Sequence, residues 1–276
     1  VMRPFGEVVI SPFEVRHTDS ELSELARRLK SLDGETRVIM EATGNYHVPV
    51  AKLLHDTELY VSVVNAKLVH GYGNNDLRRV KTDRKDAVKL ANYGLDRWLT
   101  LPRYVPEENT RLLLKNCYRQ YRQYSKVQTV LKNNLISLLD MAFPNANRLF
   151  SSPARADGSE KWVEFVAEFW HCECVCERSE KTFVNKYQWW CRKHGYYFSE
   201  DKAHAIYDDA SGHIGIMPKA ETTKLLVEQA VSQLRATSTA LAALKQEMQS
   251  LASQLPEYSV VMEMFGVGPT LGPQLI

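Results

Sequence analysis

Glu41 closes the apolar run Val38-Ile39-Met40, and Asp83 and Asp86 stand three residues apart in the stretch TDRKDAVKLANYGL, Thr82–Leu95. A carboxylate at a strand end points into the crevice where α/β sheets gather ligands. Two Asp at i and i+3 share one helix face. Oxygen donors of this kind bind hard cations such as Mg²⁺, and a pair of such ions can activate a nucleophile and stabilise the leaving oxygen of a phosphodiester. Simpler roles exist for each. Glu41 could cap the helix that starts near Asn45. With Thr82 or Asp83 as N-cap, Asp86 at or near the third helical position would complete a capping box, and both acids suit a positive helix N-terminus. The surroundings favour chemistry. Arg78, Arg79, Lys81, Arg84 and Lys85 fall within the eight residues RRVKTDRK. A capping box needs no such cations, whereas a site that holds a nucleic-acid backbone does.

The elements that must position these residues alternate through the first hundred positions. GEVVISPFEV (Gly6–Val15), TRVIMEA (Thr36–Ala42) and LYVSVVNA (Leu59–Ala66) read as strands. TDSELSELARRLKSL opens on Thr18 or Asp19 and repeats Leu22, Leu25 and Leu29 at helical spacing; YHVPVAKLLHD turns Leu53 and Leu54 inward; the Thr82–Leu95 stretch puts Ala87, Leu90 and Ala91 on one side. Strand–helix alternation argues for an α/β domain with parallel strands. Past Pro106 the pattern changes. Leu114, Cys117, Tyr121, Tyr124, Gln128, Leu131, Leu135 and Leu138 form a heptad stripe with one break, at Gln128, and Pro144 ends it. A second stripe runs Val227, Ala230, Leu234, Thr237, Leu241, Leu244, Met248, Leu251 and Leu255. Two such helices predict either an antiparallel hairpin within the chain or a dimer seam. Between them, residues 151–217 read as a small aromatic-rich helical insertion carrying Trp162, Phe165, Phe169, Trp170, Trp189 and Trp190.

Composition sets outer bounds. With 276 residues there is room for two domains, and 35 Lys+Arg against 33 Asp+Glu leave nothing for global charge to say about partners. No apolar run approaches the roughly 18 residues of a membrane span, and no signal peptide is evident. Five cysteines without a secretion signal argue for reduced thiols in a cytosolic setting. Cys172, Cys174 and Cys176 would share a face if HCECVC were a strand, but the spacing is not that of common zinc sites.

The stretches EATGNYHVPVAKLL, VSVVNAKLVHGYG and LRRVKTDRKDAVKLANYG resemble the DEDD transposases of bacterial insertion sequences, the IS110 group of bridge-RNA-guided recombinases. The resemblance includes the strand-end Glu, the Asn closing the next strand, and Lys-Thr-Asp-x-x-Asp-Ala in order and spacing. FGVGPTLGPQLI is similar to the start of that family's second conserved domain, departing at Phe265 from its usual Pro-Gly-Ile-Gly-Pro. The Gly266–Gly272 stretch reads equally as a phosphate-binding helix-hairpin-helix loop or as a tight turn into a helix.

The resemblance implies a ribonuclease-H-like, Holliday-junction-resolvase-like domain over residues 1–104, a helical coiled-coil region over 105–256, and the opening of a second catalytic domain over 257–276. It makes Glu41, Asp83 and Asp86 the second, third and fourth acids of a four-acid site for Mg²⁺ or Mn²⁺. It also implies DNA as substrate, a structured guide RNA, a homo-oligomer and a bacterial cytoplasmic setting. The first acid belongs in a Gly-x-Asp-Val strand and the family's serine nucleophile in the second domain. Neither is found here, so the chain reads as a fragment that is catalytically silent, and no serine is assigned. Two other readings fit the residues: a resolvase-like nuclease that hydrolyses without serine, and a coiled-coil nucleic-acid-binding protein whose acids merely cap helices.

Overall fold

A computed structural model describes residues 1–72, 82–213 and 215–276 of the chain. The chain divides into two compact units, Val1–Glu107 and Glu108–Ile276. Among the described residues, no helix is long and apolar enough to cross a membrane.

In the first unit, α1 (Asp19–Lys30) starts at Thr18, whose hydroxyl accepts from the Glu21 N–H, and it buries Leu22, Ala26 and Leu29. Strands β1 (Arg37–Glu41) and β2 (Tyr60–Val64) pair in parallel, with Arg37 opposite Tyr60 and Glu41 opposite Val64. Parallel neighbours need a crossover, here α2 (His47–Asp56). Helices α3 (Ala66–Gly71) and α4 (Asp83–Asp96) follow. Strand alternation splits the sheet into two faces. Val38, Met40, Val61 and Val63 pack with α1 and α2, while Ile39 and Val64 pack with Leu90 and Tyr93 of α4.

β1 has a strand neighbour on one side only among the described residues. The Ala42 N–H donates to the Val64 carbonyl at 2.9 Å. By alternation, Val38 and Met40 therefore bond toward β2, and the backbone groups of Arg37, Ile39 and Glu41 point away from it. Those of Arg37 and Ile39 open on a cleft of about 1020 Å³, walled by Val1–Phe5, α1 and α4. The Gly6–Val15 segment, expected as a strand, is not one. Phe5 and Gly6 take positive φ (67° and 82°), so the chain doubles back. Val9 N–H then bonds the Val1 carbonyl, and only a single bridge joins Met2 to Val8. Pro12 has no N–H with which to extend a ladder.

The second unit is built on α5 (Asn109–Ala142) and α10 (Glu221–Ala252). They run antiparallel. Leu114 meets Met248 and Leu251 at one end, and Leu135 and Leu139 meet Val227 and Leu234 at the other. The pairing is within the chain. Its centre is polar, where the Gln128 amide donates to the Ser238 hydroxyl at 2.9 Å. Ser238 is therefore the buried residue at this level and the expected Thr237 is only half-buried, because the seam follows the Gln128 contact. The insertion contributes α6 (Lys161–Glu168), α7 (Glu173–Cys176), α8 (Glu180–His194) and α9 (Glu200–Gly212). Their rings make the core: Phe165 stacks on Phe169 at 4.6 Å between centroids and Trp190 on Tyr187 at 5.7 Å. Trp189, grouped with the other aromatics in the sequence reading, stays 55% exposed. α11 (Tyr258–Met262) and α12 (Gly272–Leu275) close the chain, with Tyr258 and Ile276 packed on the Leu114–Met248 cluster.

Candidate site at the carboxyl end of the parallel strands

The face that carries Ile39 also carries Glu41, two residues on. α4 covers this face, and three contacts fix its direction. The Arg37 guanidinium donates to the Trp98 carbonyl and lies 4.3 Å from that ring's centroid. Ile39 Cδ1 occupies the space a Cβ on Gly94 would need, 1.7 Å from it. Ile39 also shares a cluster with Leu90. Trp98 is thus level with Arg37, and Gly94 with Ile39, so α4 runs antiparallel to β1. A strand rises about 3.3 Å per residue and a helix 1.5 Å, so two strand residues match roughly four of the helix. Glu41 is then near the level of Leu90. Asp86 lies about one turn further, beyond the carboxyl end of the strand.

Asp83, Asp86, Ala87, Leu90, Ala91 and Gly94 form one stripe of α4 by their spacing. The last four line the cleft beside β1. Both aspartates therefore head the stripe that α4 turns toward β1. Glu41 is half-buried, and Asp83 and Asp86 are exposed.

The capping-box alternative does not fit. Thr82 is the N-cap, with φ −142° and ψ 146°, and its hydroxyl accepts from the Lys85 N–H at 3.3 Å. Lys85 occupies the third helical position and Asp86 the fourth, one too far to reach back. None of the three carboxylates has a hydrogen-bond or ion-pair partner among the described residues. The acids share one side and one end of the sheet, yet among the described residues no three His, Cys, Asp or Glu side chains gather tightly enough to hold an ion. The donor chemistry suits Mg²⁺ or Mn²⁺. The cage is not closed.

Of the expected basic rim, Arg84 and Lys85 are exposed in the first turn of α4. Arg78, Arg79 and Lys81 lie outside the described residues. Asn65, the residue closing β2, caps α3 by accepting from the Lys67 N–H at 2.9 Å. His47, at the start of α2, has a buried Nδ1 without a partner among the described residues, which no spacing in the sequence foretold.

The cysteine cluster is helical, because the Cys176 N–H bonds the Cys172 carbonyl at 3.1 Å. The shared strand face on which a metal reading depended is therefore absent. Both His171 nitrogens are engaged, one with the Met217 carbonyl at 3.0 Å and one with the Glu173 N–H at 3.2 Å. Burial pushes the Cys172 and Cys174 thiols up from their ordinary pKa, which keeps them protonated.

A transposase profile, that of the DEDD transposases of the IS110 type, matches residues 1–144. Pilin gene-inverting proteins of Moraxella bovis and Moraxella lacunata are each 32% identical to this chain over 93 residues, which is 34% of this chain and 28% of theirs. The chain thus aligns with less than a third of those relatives' length. The profile takes in more than half of this chain, including Glu41, Asp83, Asp86 and the helix that carries the two aspartates. The chain belongs to the IS110-type DEDD transposase family.

Proposed function

We propose that this chain is part of a transposase that cuts and rejoins DNA, with a ribonuclease-H-like first unit as its metal-dependent half. One observation carries the reading. Three carboxylates without a partner among the described residues stand on one side of the sheet, at the carboxyl end of β1 and the head of α4. Glu41, Asp83 and Asp86 would hold Mg²⁺ or Mn²⁺. A divalent ion there supplies Lewis-acid polarisation of a phosphodiester. Arg84 and Lys85, with Arg78, Arg79 and Lys81, grip the flanking phosphates and hold the scissile strand against the acids. The names of the Moraxella relatives, which are gene inverters, fit such cut-and-rejoin chemistry. By family resemblance, the reaction also takes a serine nucleophile, a guide RNA and assembly into a homo-oligomer.

Mn²⁺ binding tests the metal assignment directly, followed by electron paramagnetic resonance or calorimetry on the wild type, Glu41→Gln and Asp86→Asn. Each substitution should weaken the site by at least the ~10-fold typical of losing even an outer-shell partner. Arg84→Gln with Lys85→Gln should leave metal affinity in place and weaken DNA binding. Unchanged Mn²⁺ affinity in both acid variants would reduce the carboxylates to surface groups.

A further inference from the structure

Three cations of the second unit converge on two aromatic rings. Lys161 Nζ lies 4.8 Å from the centroid of Phe150 and 4.9 Å from that of Tyr196. Lys202 Nζ is 5.7 Å from Phe150, and Arg155 Cζ is 4.1 Å from Tyr196. Arg155 is further oriented by the carbonyls of His194 and Gly195, which accept from its Nη2 at 2.8 and 3.3 Å. The three come from separate places: the loop before α6, the first residue of α6, and the first turn of α9. Their convergence is a product of the fold and not of one basic run.

Several other cations of this unit have carboxylate partners. Lys132 pairs with Glu160 at 2.5 Å, Arg235 with Glu164 at 2.6 Å, and Lys219 with Glu177. Among the described residues, Arg155, Lys161 and Lys202 form no ion pair. The nearby acid, Asp157, sets one negative charge against the three cations and is held by Ser159. Its carboxylate accepts from the Ser159 N–H at 2.9 Å and the Ser159 hydroxyl at 2.7 Å. Burial, followed by the repulsion of Lys202 and Arg155, pulls the Lys161 ammonium below its ordinary pKa. Like charges held together with less counter-charge than they carry oppose folding, and an arriving anion relieves that opposition. The rings fix the cations, and the two ammonium groups and the remaining Arg155 N–H groups are left to donate.

We propose that Arg155, Lys161 and Lys202, mounted on Phe150 and Tyr196, form a phosphate-binding site for a nucleic-acid backbone. The aromatic faces are already covered by cations, so the site grips phosphates and does not stack bases. It reads charge and not sequence. The site deepens the transposase reading by naming a second place where a strand is held, and it owes nothing to the carboxylates or to metal.

The test is binding by the full chain in the presence of a chelator, with labelled duplex DNA, single-stranded DNA and single-stranded RNA of equal length. Affinity is followed against salt for the wild type, for Arg155→Gln/Lys161→Gln/Lys202→Gln, and for the charge-keeping Arg155→Lys/Lys161→Arg/Lys202→Arg. The glutamine variant should lose about 2–3 units of the log–log salt slope on at least one of these ligands, at 0.7–0.9 per phosphate contact, and the charge-keeping variant should retain it. The ligand that shows the loss identifies the strand as DNA or RNA. Circular dichroism and thermal melting confirm that the glutamine variant is folded, and inorganic polyphosphate should compete with wild-type binding. An unchanged slope on all three ligands in the folded glutamine variant would overturn this site alone. A wild type that binds none of them would overturn both this site and the transposase reading.

Discussion

Thr82 and Asp86 stand one helical turn apart at the head of α4 and have separable roles. The Thr82 hydroxyl satisfies the Lys85 N–H, while Asp86 bonds to no described residue. Thr82→Ala should cost about 1 kcal/mol of stability, the usual worth of an N-cap. Asp86→Asn removes only an exposed charge from a positive helix end and should cost roughly 0.3 kcal/mol. Urea denaturation of the two variants checks the order, and the reverse order would make Asp86 a structural cap. Spacing in the sequence was enough to place both aspartates on one helix face. It could not fix the cap, because Thr82 and Asp83 are both good N-caps and a shift of one residue decides whether a capping box exists. The Arg155–Lys161–Lys202 cluster was illegible for another reason. Its members are scattered along the chain, and only the fold gathers them over two rings.

At the scale of elements, the heptad stripes foretold two long helices but not how they would pair. An intrachain hairpin and a dimer seam bury the same residues. The register is set by the polar pair Gln128–Ser238, as a single buried polar group sets it in helical bundles. Gly158 packs on α10 at the same level: a Cβ there would sit 2.6 Å from the Ser238 carbonyl oxygen, and its φ of +82° already disfavours a side chain. Gly158→Ala should therefore destabilise the second unit by about 1–3 kcal/mol. Leu241→Asp, which buries an unpaired carboxylate in the seam, should cost several kcal/mol. Thermal melts followed by circular dichroism check both, and a Leu241→Asp protein that melts like the wild type would mean that α5 and α10 do not pair through this face. The failed Gly6–Val15 strand belongs at this scale too. Its apolar residues matched the pattern, but a strand also needs a partner and a full set of N–H donors.

For the whole molecule, the contrast is between two cores. The second unit packs stacked rings between long helices, whereas every residue of β1 in the first unit is only half-buried. Alternation along β1 told which residues face which layer; it could not tell that one edge of the strand would open on a cleft. The first unit should therefore open at lower denaturant than the second. Hydrogen exchange measures this directly. The amides of Val38 and Met40 should exchange well ahead of those of Leu135 and Leu234, with Trp98 fluorescence changing before the helical signal. Coincident transitions would show a single cooperative structure.

The cleft beside β1 also affects how the protein can be assayed. Its walls include Leu25, Leu29, Ile39 and Leu90, open enough to admit a small apolar molecule while the chain is folded. A solvatochromic dye of the kind used for high-throughput melting curves would fluoresce in this cleft before any heating. The trace would begin bright and then fall as the first unit loosened, the inverse of the usual rise. A screen that scores stabilisers by the rising edge would report the second unit alone and miss a compound seated along the open strand.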